Sequence, residues 1–205
     1  MNIKTFNNLI FSILILIFSV IGYLFNNSYS KQNVIEKNLD EMVNLNKLIL
    51  NLQILSSENI FITNVSSTTK WYLEQKKITK IVKTLEQINI NNKTVKEQII
   101  RIENVNSSIL NLFDDYIKVK KEHYVPKEYI EVKASHLYSS ILQMNTMISN
   151  LKNDKLLELK NIHEEIKYKF IFFIFIIIIF LISSFAFIVK KINKGLELKK
   201  RFCFP

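Results

Sequence analysis

VKEQIIRIENVNSSILNLFDDY, residues 95–116, decides the fold of this chain. Its core-type residues recur at alternating steps of four and three, so they share one face of an α-helix. That face carries Val95, Ile99, Ile102, Asn106, Ile109, Phe113 and Tyr116. Asn106 is the polar member, and a buried Asn in a helical bundle often fixes register at a cost in stability. We therefore expect a long helix packed against others, and a higher melting temperature when Asn106 becomes hydrophobic.

Three further segments show related stripes. The first helix is predicted from residue 26 to about 64, and the second begins near Lys70. The third is predicted from about 94 to 123 and the fourth from 127 to 169. NVSSTT, residues 64–69, is interpreted as a turn because it is rich in capping residues. The stripe of the first helix consists of Ile35, Met42, Leu45, Ile49 and Leu52. That of the second helix consists of Trp71, Ile78 and Leu85, and that of the fourth of Leu137, Ile141, Met144, Ile148 and Leu151.

Breaking residues are scarce. No glycine occurs between Gly22 and Gly195, and Pro126 is the only proline in that interval. Strand-rich domains need turn residues every 8–12 positions, which this interval lacks. Two long outer helices with two shorter ones between them suit antiparallel packing. The fold class is therefore predicted as all-α, with an up-down-up-down four-helix bundle between two transmembrane helices.

Two apolar blocks flank this region, LIFSILILIFSVIGYLF at residues 9–25 and FIFFIFIIIIFLISSFAFIV at 170–189. With its flanking residues the first reaches the ~20 residues that a membrane-spanning helix needs. It is longer than the apolar part of a signal peptide and no Ala-x-Ala site follows, so we interpret it as an uncleaved anchor. The second block is rich in β-branched residues, but only a helix satisfies its backbone in lipid.

Basic residues orient the spans. Lys190, Lys191 and Lys194 follow the second block and are predicted to anchor its cytoplasmic exit. The expected organisation is a cytoplasmic N-terminus (1–8), a first span (9–25), an extracytoplasmic four-helix bundle (26–169), a second span (170–189) and a basic cytoplasmic tail (190–205). The expected location is the bacterial inner membrane, with both termini inside and residues 26–169 periplasmic or extracellular.

Several classes of function find no support in the residues. The net charge of +10 is spread along the chain rather than gathered on one face, so nucleic acid is not an expected partner. The three histidines show no metal-binding spacing, and no glycine-rich loop is present to hold phosphate. Neither catalysis, a metal nor a cofactor is therefore expected.

The outer tip of the bundle is the candidate ligand site. Two adjoining turns should bring together cationic and aromatic side chains that suit a small anion or an amino acid. These residues are Lys70, Trp71, Tyr72, His123, Tyr124 and Tyr129. Trp71 equally fits the core, because it stands at a seven-residue repeat, and the tyrosines equally fit amphipathic packing.

The basic exit, VKKINKGLEL at residues 189–198, resembles the start of a HAMP linker, although Gly195 stands where proline is common. With the two spans and the helical outer domain, the layout resembles the sensor half of a four-helix-bundle methyl-accepting chemotaxis receptor. Sensor histidine kinases share that layout. The resemblance implies a homodimer that senses a small molecule or a periplasmic binding protein.

Two functions follow as alternatives. The first is a sensory input module, expected to be a receptor fragment cut off near residue 198, because RFCFP at 201–205 continues no heptad. Its signal would pass along a continuous helix from the fourth bundle helix through the second span. The second is a complete two-span membrane protein whose helical outer domain has a structural or protein-interaction role.

Overall fold

The computed structural model describes the backbone of residues 3–61, 65–122 and 124–202 and the side chains of 8, 10–60, 65–122 and 124–194. Four helices account for nearly all of this: α1 (Ile3–Phe61), α2 (Val65–Ile88), α3 (Lys93–Lys121) and α4 (Lys127–Phe202). No strand occurs in these ranges, so the all-α prediction is confirmed for them. Two compact units are present, Lys31–Lys160 and the paired segments Met1–Ser30 and Asn161–Pro205.

The unit Lys31–Lys160 has one core to which all four helices contribute. The stripe positions named above for α1, α2, α3 and α4 are buried. The α4 stripe continues beyond Leu151 to Lys155. Lys155 is buried, and its ammonium lies 2.7 Å from the Glu158 carboxylate, which keeps the charge paired at the rim of the core.

Side-chain contacts give the directions of neighbouring helices in this unit. Asn38 of α1 bonds to Asn89, just after α2, while Ser56 accepts from Trp71 near the start of α2, so these helices are antiparallel. The α2 and α3 helices are antiparallel as well. Gln75 donates to Asn106 near their middles, and Glu86 pairs with Lys96 close to the connection between them.

One predicted boundary is wrong. The segment 64–69 was expected to be a turn, but α2 already begins at Val65, and residue 64 lies outside the described residues. The hydroxyls that suggested capping are satisfied by helical geometry and by α1: Thr69 donates to the carbonyl oxygen of Val65, and Ser67 and Thr68 donate to the side chain of Asn59. The start of α3 is capped conventionally, because the side chain of Asn92 accepts a hydrogen bond from the Val95 amide at 3.2 Å.

In the second unit, the ends of α1 and α4 pack against each other in antiparallel fashion. Phe18 meets Phe173, and Phe25 meets Phe170, both edge to face. The Lys169 ammonium donates to the hydroxyl of Ser28 at 2.9 Å. Length and composition allow both α1 and α4 to cross a membrane, and the most apolar window of each is 0% buried.

Candidate functional site

An aromatic cluster stands where α2 begins. The indole of Trp71 stacks on the ring of Phe113 from α3, with centroids 3.6 Å apart and planes within 6°. Tyr72 lies edge-on to both rings at 5.5 Å. Trp71 is 0% exposed, and its Nε1 donates to the Ser56 hydroxyl at 2.8 Å. The indole therefore has both its faces and its only donor occupied by the protein.

Asn59 links three helices beside this cluster. Its side-chain oxygen accepts from Thr68 at 2.7 Å and from Ser67 at 3.2 Å. Its carbonyl oxygen accepts from the Tyr116 hydroxyl at 3.1 Å and from the Lys120 ammonium. Lys120 also donates to the carbonyl oxygen of Ile60, so it satisfies carbonyls in the last turn of α1 that have no helical partner.

Burial has opposite effects on the two ionisable groups of this cluster. It lowers the pKa of Lys120, because the ammonium loses hydration. It raises the pKa of Tyr116 to about 12, because the phenolate would be the form that loses hydration.

The rim of the cluster is polar and more open. The Tyr72 hydroxyl donates to the Asp114 carboxylate at 2.5 Å. Burial, together with this bond and the charge of Asp114, raises the pKa of Tyr72 to about 12. Lys133 of α4 lies 3.3 Å from the Asp115 carboxylate and 5.6 Å from the ring centroid of Tyr129. The bond to Asp115 is the main cause that raises the pKa of Lys133.

The predicted tip residues fall into different surroundings. Trp71 is in the core, Tyr72 and Tyr129 are half-exposed, and Lys70 is exposed. Tyr124 is 100% exposed, and His123 lies outside the described residues. Trp71 and Tyr72 are in contact, whereas Tyr129 is placed against Lys133. A ligand role for the set stays a prediction, and the structure shows that Trp71 already serves packing.

Sequence reasoning missed Ser56 and Asn59. Both continue the α1 stripe of Leu45, Ile49 and Leu52 at steps of four and three. The predicted α1 stripe ended at Leu52, one step before Ser56. Their spacing was the available signal, and their polarity is explained by Trp71, Ser67 and Thr68, which donate hydrogen bonds to the two side chains.

A second feature that the sequence did not indicate is an open polar groove of about 590 Å³ between α1 and α2. Lysines and glutamates line it, among them Lys47, Lys80, Glu41 and Glu74. Glu74 pairs with Lys77 through one oxygen at 2.6 Å, while its other oxygen is buried without a hydrogen-bond partner. The groove is mixed in charge and lies on the flank of the unit rather than in the aromatic cluster.

The three predicted exit anchors lie on the part of α4 that follows the apolar segment. Lys190 and Lys194 are exposed, and Lys191 is half-buried with its ammonium 6.0 Å from the ring centroid of Phe187.

Within the described side chains, no group of three His, Cys, Asp or Glu residues is placed to hold a metal ion. The chain matches no protein-family model, no curated protein and no solved structure.

The buried phenol of Tyr116 gives a pH test of the cluster. Its pKa is about 12 in the folded chain and ~10 in an unfolded one. Its stabilising contribution is therefore complete below pH ~10 and is lost as the pH rises through about 12, because only the unfolded chain ionises easily in between. Urea unfolding of the full chain in detergent between pH 9.5 and 11.5 should show this loss, and Tyr116→Phe should show a smaller one. If the free energy of unfolding fell equally steeply with pH in the unaltered chain and in Tyr116→Phe, the burial of the Tyr116 hydroxyl would be contradicted.

Proposed function

We propose that the chain is the membrane-anchored sensory input module of a chemotaxis-type receptor. In this proposal the unit Lys31–Lys160 is an up-down-up-down four-helix bundle outside a bacterial inner membrane. The apolar parts of α1 and α4 cross that membrane, and the residues after Val189 enter the cytoplasm. The antiparallel helix pairs and the unburied apolar windows support this arrangement.

The observation that carries the proposal is the continuity of α4. A single helix contains Tyr129 and Lys133 beside the candidate site, the apolar segment, and Lys190 and Lys194. Rigid secondary elements are among the structures that carry coupling between distant sites. A displacement or rotation at the start of α4 would therefore reach the segment that resembles a HAMP linker without crossing a loop.

A second copy of the chain is the proposed partner. Val43, Leu50 and Ile54 of α1 are exposed apolar residues at steps of seven and four, so they share one face. Gln53 donates to the Tyr138 hydroxyl at 2.6 Å, which places Tyr138 and Leu142 of α4 beside that face. These side chains form an apolar strip on the side of the bundle that α1 and α4 share, and a homodimer would cover it.

The test is a hybrid receptor that needs no known ligand. Residues 1–198 are fused to the cytoplasmic half of a chemoreceptor, with one to seven alanines at the joint, and kinase output is measured in cells. If α4 transmits rotation, output should vary with the helical period of ~3.6 residues. A four-glycine insertion after Lys160 should abolish the variation. If the hybrids are inserted into the membrane but their kinase output does not depend on the number of alanines, the proposal is rejected.

The same hybrids report on the partner. A single cysteine at Leu50 should cross-link between chains under mild oxidation, whereas one at the exposed Leu73 of α2 should not. Residues 1–198 contain no cysteine of their own, so each variant carries one thiol in this segment.

The alternative is a structural or protein-interaction domain on two membrane helices. The exposed strip of Val43, Leu50 and Ile54 supports it as well, since a different protein could cover the same face. In that case cross-linking at Leu50 between copies should fail, and kinase output should not follow the joint length.

A further inference from the structure

One face of α4 carries an open groove at the end of its apolar segment. The groove has a volume of about 810 Å³ and is lined by Phe185, Ala186, Val189, Lys190, Asn193 and Lys194. These positions form two neighbouring columns along the helix, Phe185, Val189 and Asn193 in one and Ala186, Lys190 and Lys194 in the other. Along the helix the lining changes from three apolar residues to three polar ones.

The apolar half of the groove offers space for a hydrocarbon chain. Ala186, one of only two alanines in the chain, lies between the larger Phe185 and Val189. All three are exposed. An apolar surface of this kind is favourable only against other apolar groups.

The polar half of the groove is cationic and has no partner within the described residues. Lys190 and Lys194 are one turn apart and exposed, and neither makes an ion pair or hydrogen bond with the described part of the chain. Asn193 lies between them and supplies an amide donor. Lys191 is directed differently, since its ammonium lies near the ring of Phe187.

We propose that this groove binds one anionic phospholipid. An acyl chain lies along Phe185, Ala186 and Val189, and the headgroup phosphate is held by Lys190 and Lys194 with a hydrogen bond from Asn193. The order of apolar and cationic residues matches the order of acyl chain and phosphate at a membrane surface. The inference rests on the proposed function in one respect, that α4 crosses a membrane.

The test compares two variants of equal net charge. The full chain is reconstituted into vesicles of equal parts phosphatidylglycerol and phosphatidylcholine and extracted in mild detergent, and native mass spectrometry then measures the retained lipids. The unaltered chain should retain phosphatidylglycerol preferentially. Lys190→Gln/Lys194→Gln should lower that preference roughly thirty-fold, and Lys191→Gln/Lys199→Gln by only a few-fold.

A second pair of variants tests the acyl half. Ala186→Leu fills the groove and should lower retention of phosphatidylglycerol, whereas Ile188→Phe adds bulk about 200° around the helix and should not. Loss of preference in both charge variants alike would overturn the groove in favour of net charge. If inorganic phosphate displaced phosphatidylglycerol and Ala186→Leu left its retention unchanged, the site would bind a free anion rather than a lipid, and the proposal would be overturned.

Failure of the proposed function would look different. A chain that alkaline carbonate washes off the vesicles does not span them, and both the function and the groove would then fall. If the chain resists the wash but shows no lipid preference, only the proposed lipid site is rejected.

Discussion

Replacing Trp71 with Ala is expected to lower the free energy of unfolding by about 3–5 kcal/mol. The indole is fully buried, stacks on Phe113 and donates to Ser56, so its removal leaves a cavity and takes away one of the hydrogen bonds of Ser56. Urea unfolding of the full chain in detergent, followed by circular dichroism, measures the change. Aromatic packing of this kind is a large share of the total stability of a domain.

Leu73→Ala is the matched control, because Leu73 is also apolar and lies two residues further along α2 but is exposed. It should change the free energy of unfolding by about 0.5 kcal/mol or less. A Trp71→Ala variant as stable as this control would contradict the buried stack. Since Trp71→Ala disturbs the core, loss of ligand binding in it would not identify a binding residue. The exposed Lys70 is the cleaner position for that test, through Lys70→Ala.

The pair formed by Gln75 and Asn106 should give the second large effect. Gln75 donates to the side chain and the carbonyl of Asn106, and Asn106 donates to the Thr79 hydroxyl at 3.0 Å. Asn106→Leu alone removes one acceptor of the Gln75 amide and the donor to the Thr79 hydroxyl, in or beside the core. We therefore expect a loss of about 1–3 kcal/mol rather than the higher melting temperature that the sequence suggested.

Replacing both Gln75 and Asn106 should remove this loss of stability or turn it into a gain. Gln75 already has a side-chain oxygen buried without a partner. Gln75→Leu/Asn106→Leu replaces the buried amides with apolar groups, and such a replacement is close to neutral or stabilising. The free energies of unfolding of both single variants and the double variant, combined in a double-mutant cycle, measure the coupling. Additive effects of the two single changes would show that the amides do not act as a pair.

The helices and their buried faces were predictable because they depend on local periodicity. Stripe positions such as Ile49, Ile109 and Ile148 are buried as their spacing indicated. The boundary at Val65 was not predictable, since the hydroxyls of Ser67 and Thr68 suit either a turn or a helix. Their choice depends on Asn59, which lies on another helix.

The candidate site shows the same division. Its aromatic and cationic members could be named from composition, but their partners could not. Whether Trp71 faces a ligand or the core depends on Phe113, which is 42 residues away in the sequence. The polar groove between α1 and α2 likewise joins residues that no local pattern relates.

The sequence alone determined an all-helical chain with two apolar segments, because helix periodicity and the length of an apolar run are local properties. It also determined which face of each helix is buried. Only the tertiary structure decided that Ser56, Asn59 and Gln75 belong to the core, with Trp71, Thr68 and Asn106 as their respective partners. Most buried polar groups need a hydrogen-bond partner, and each of these three partners comes from a different helix.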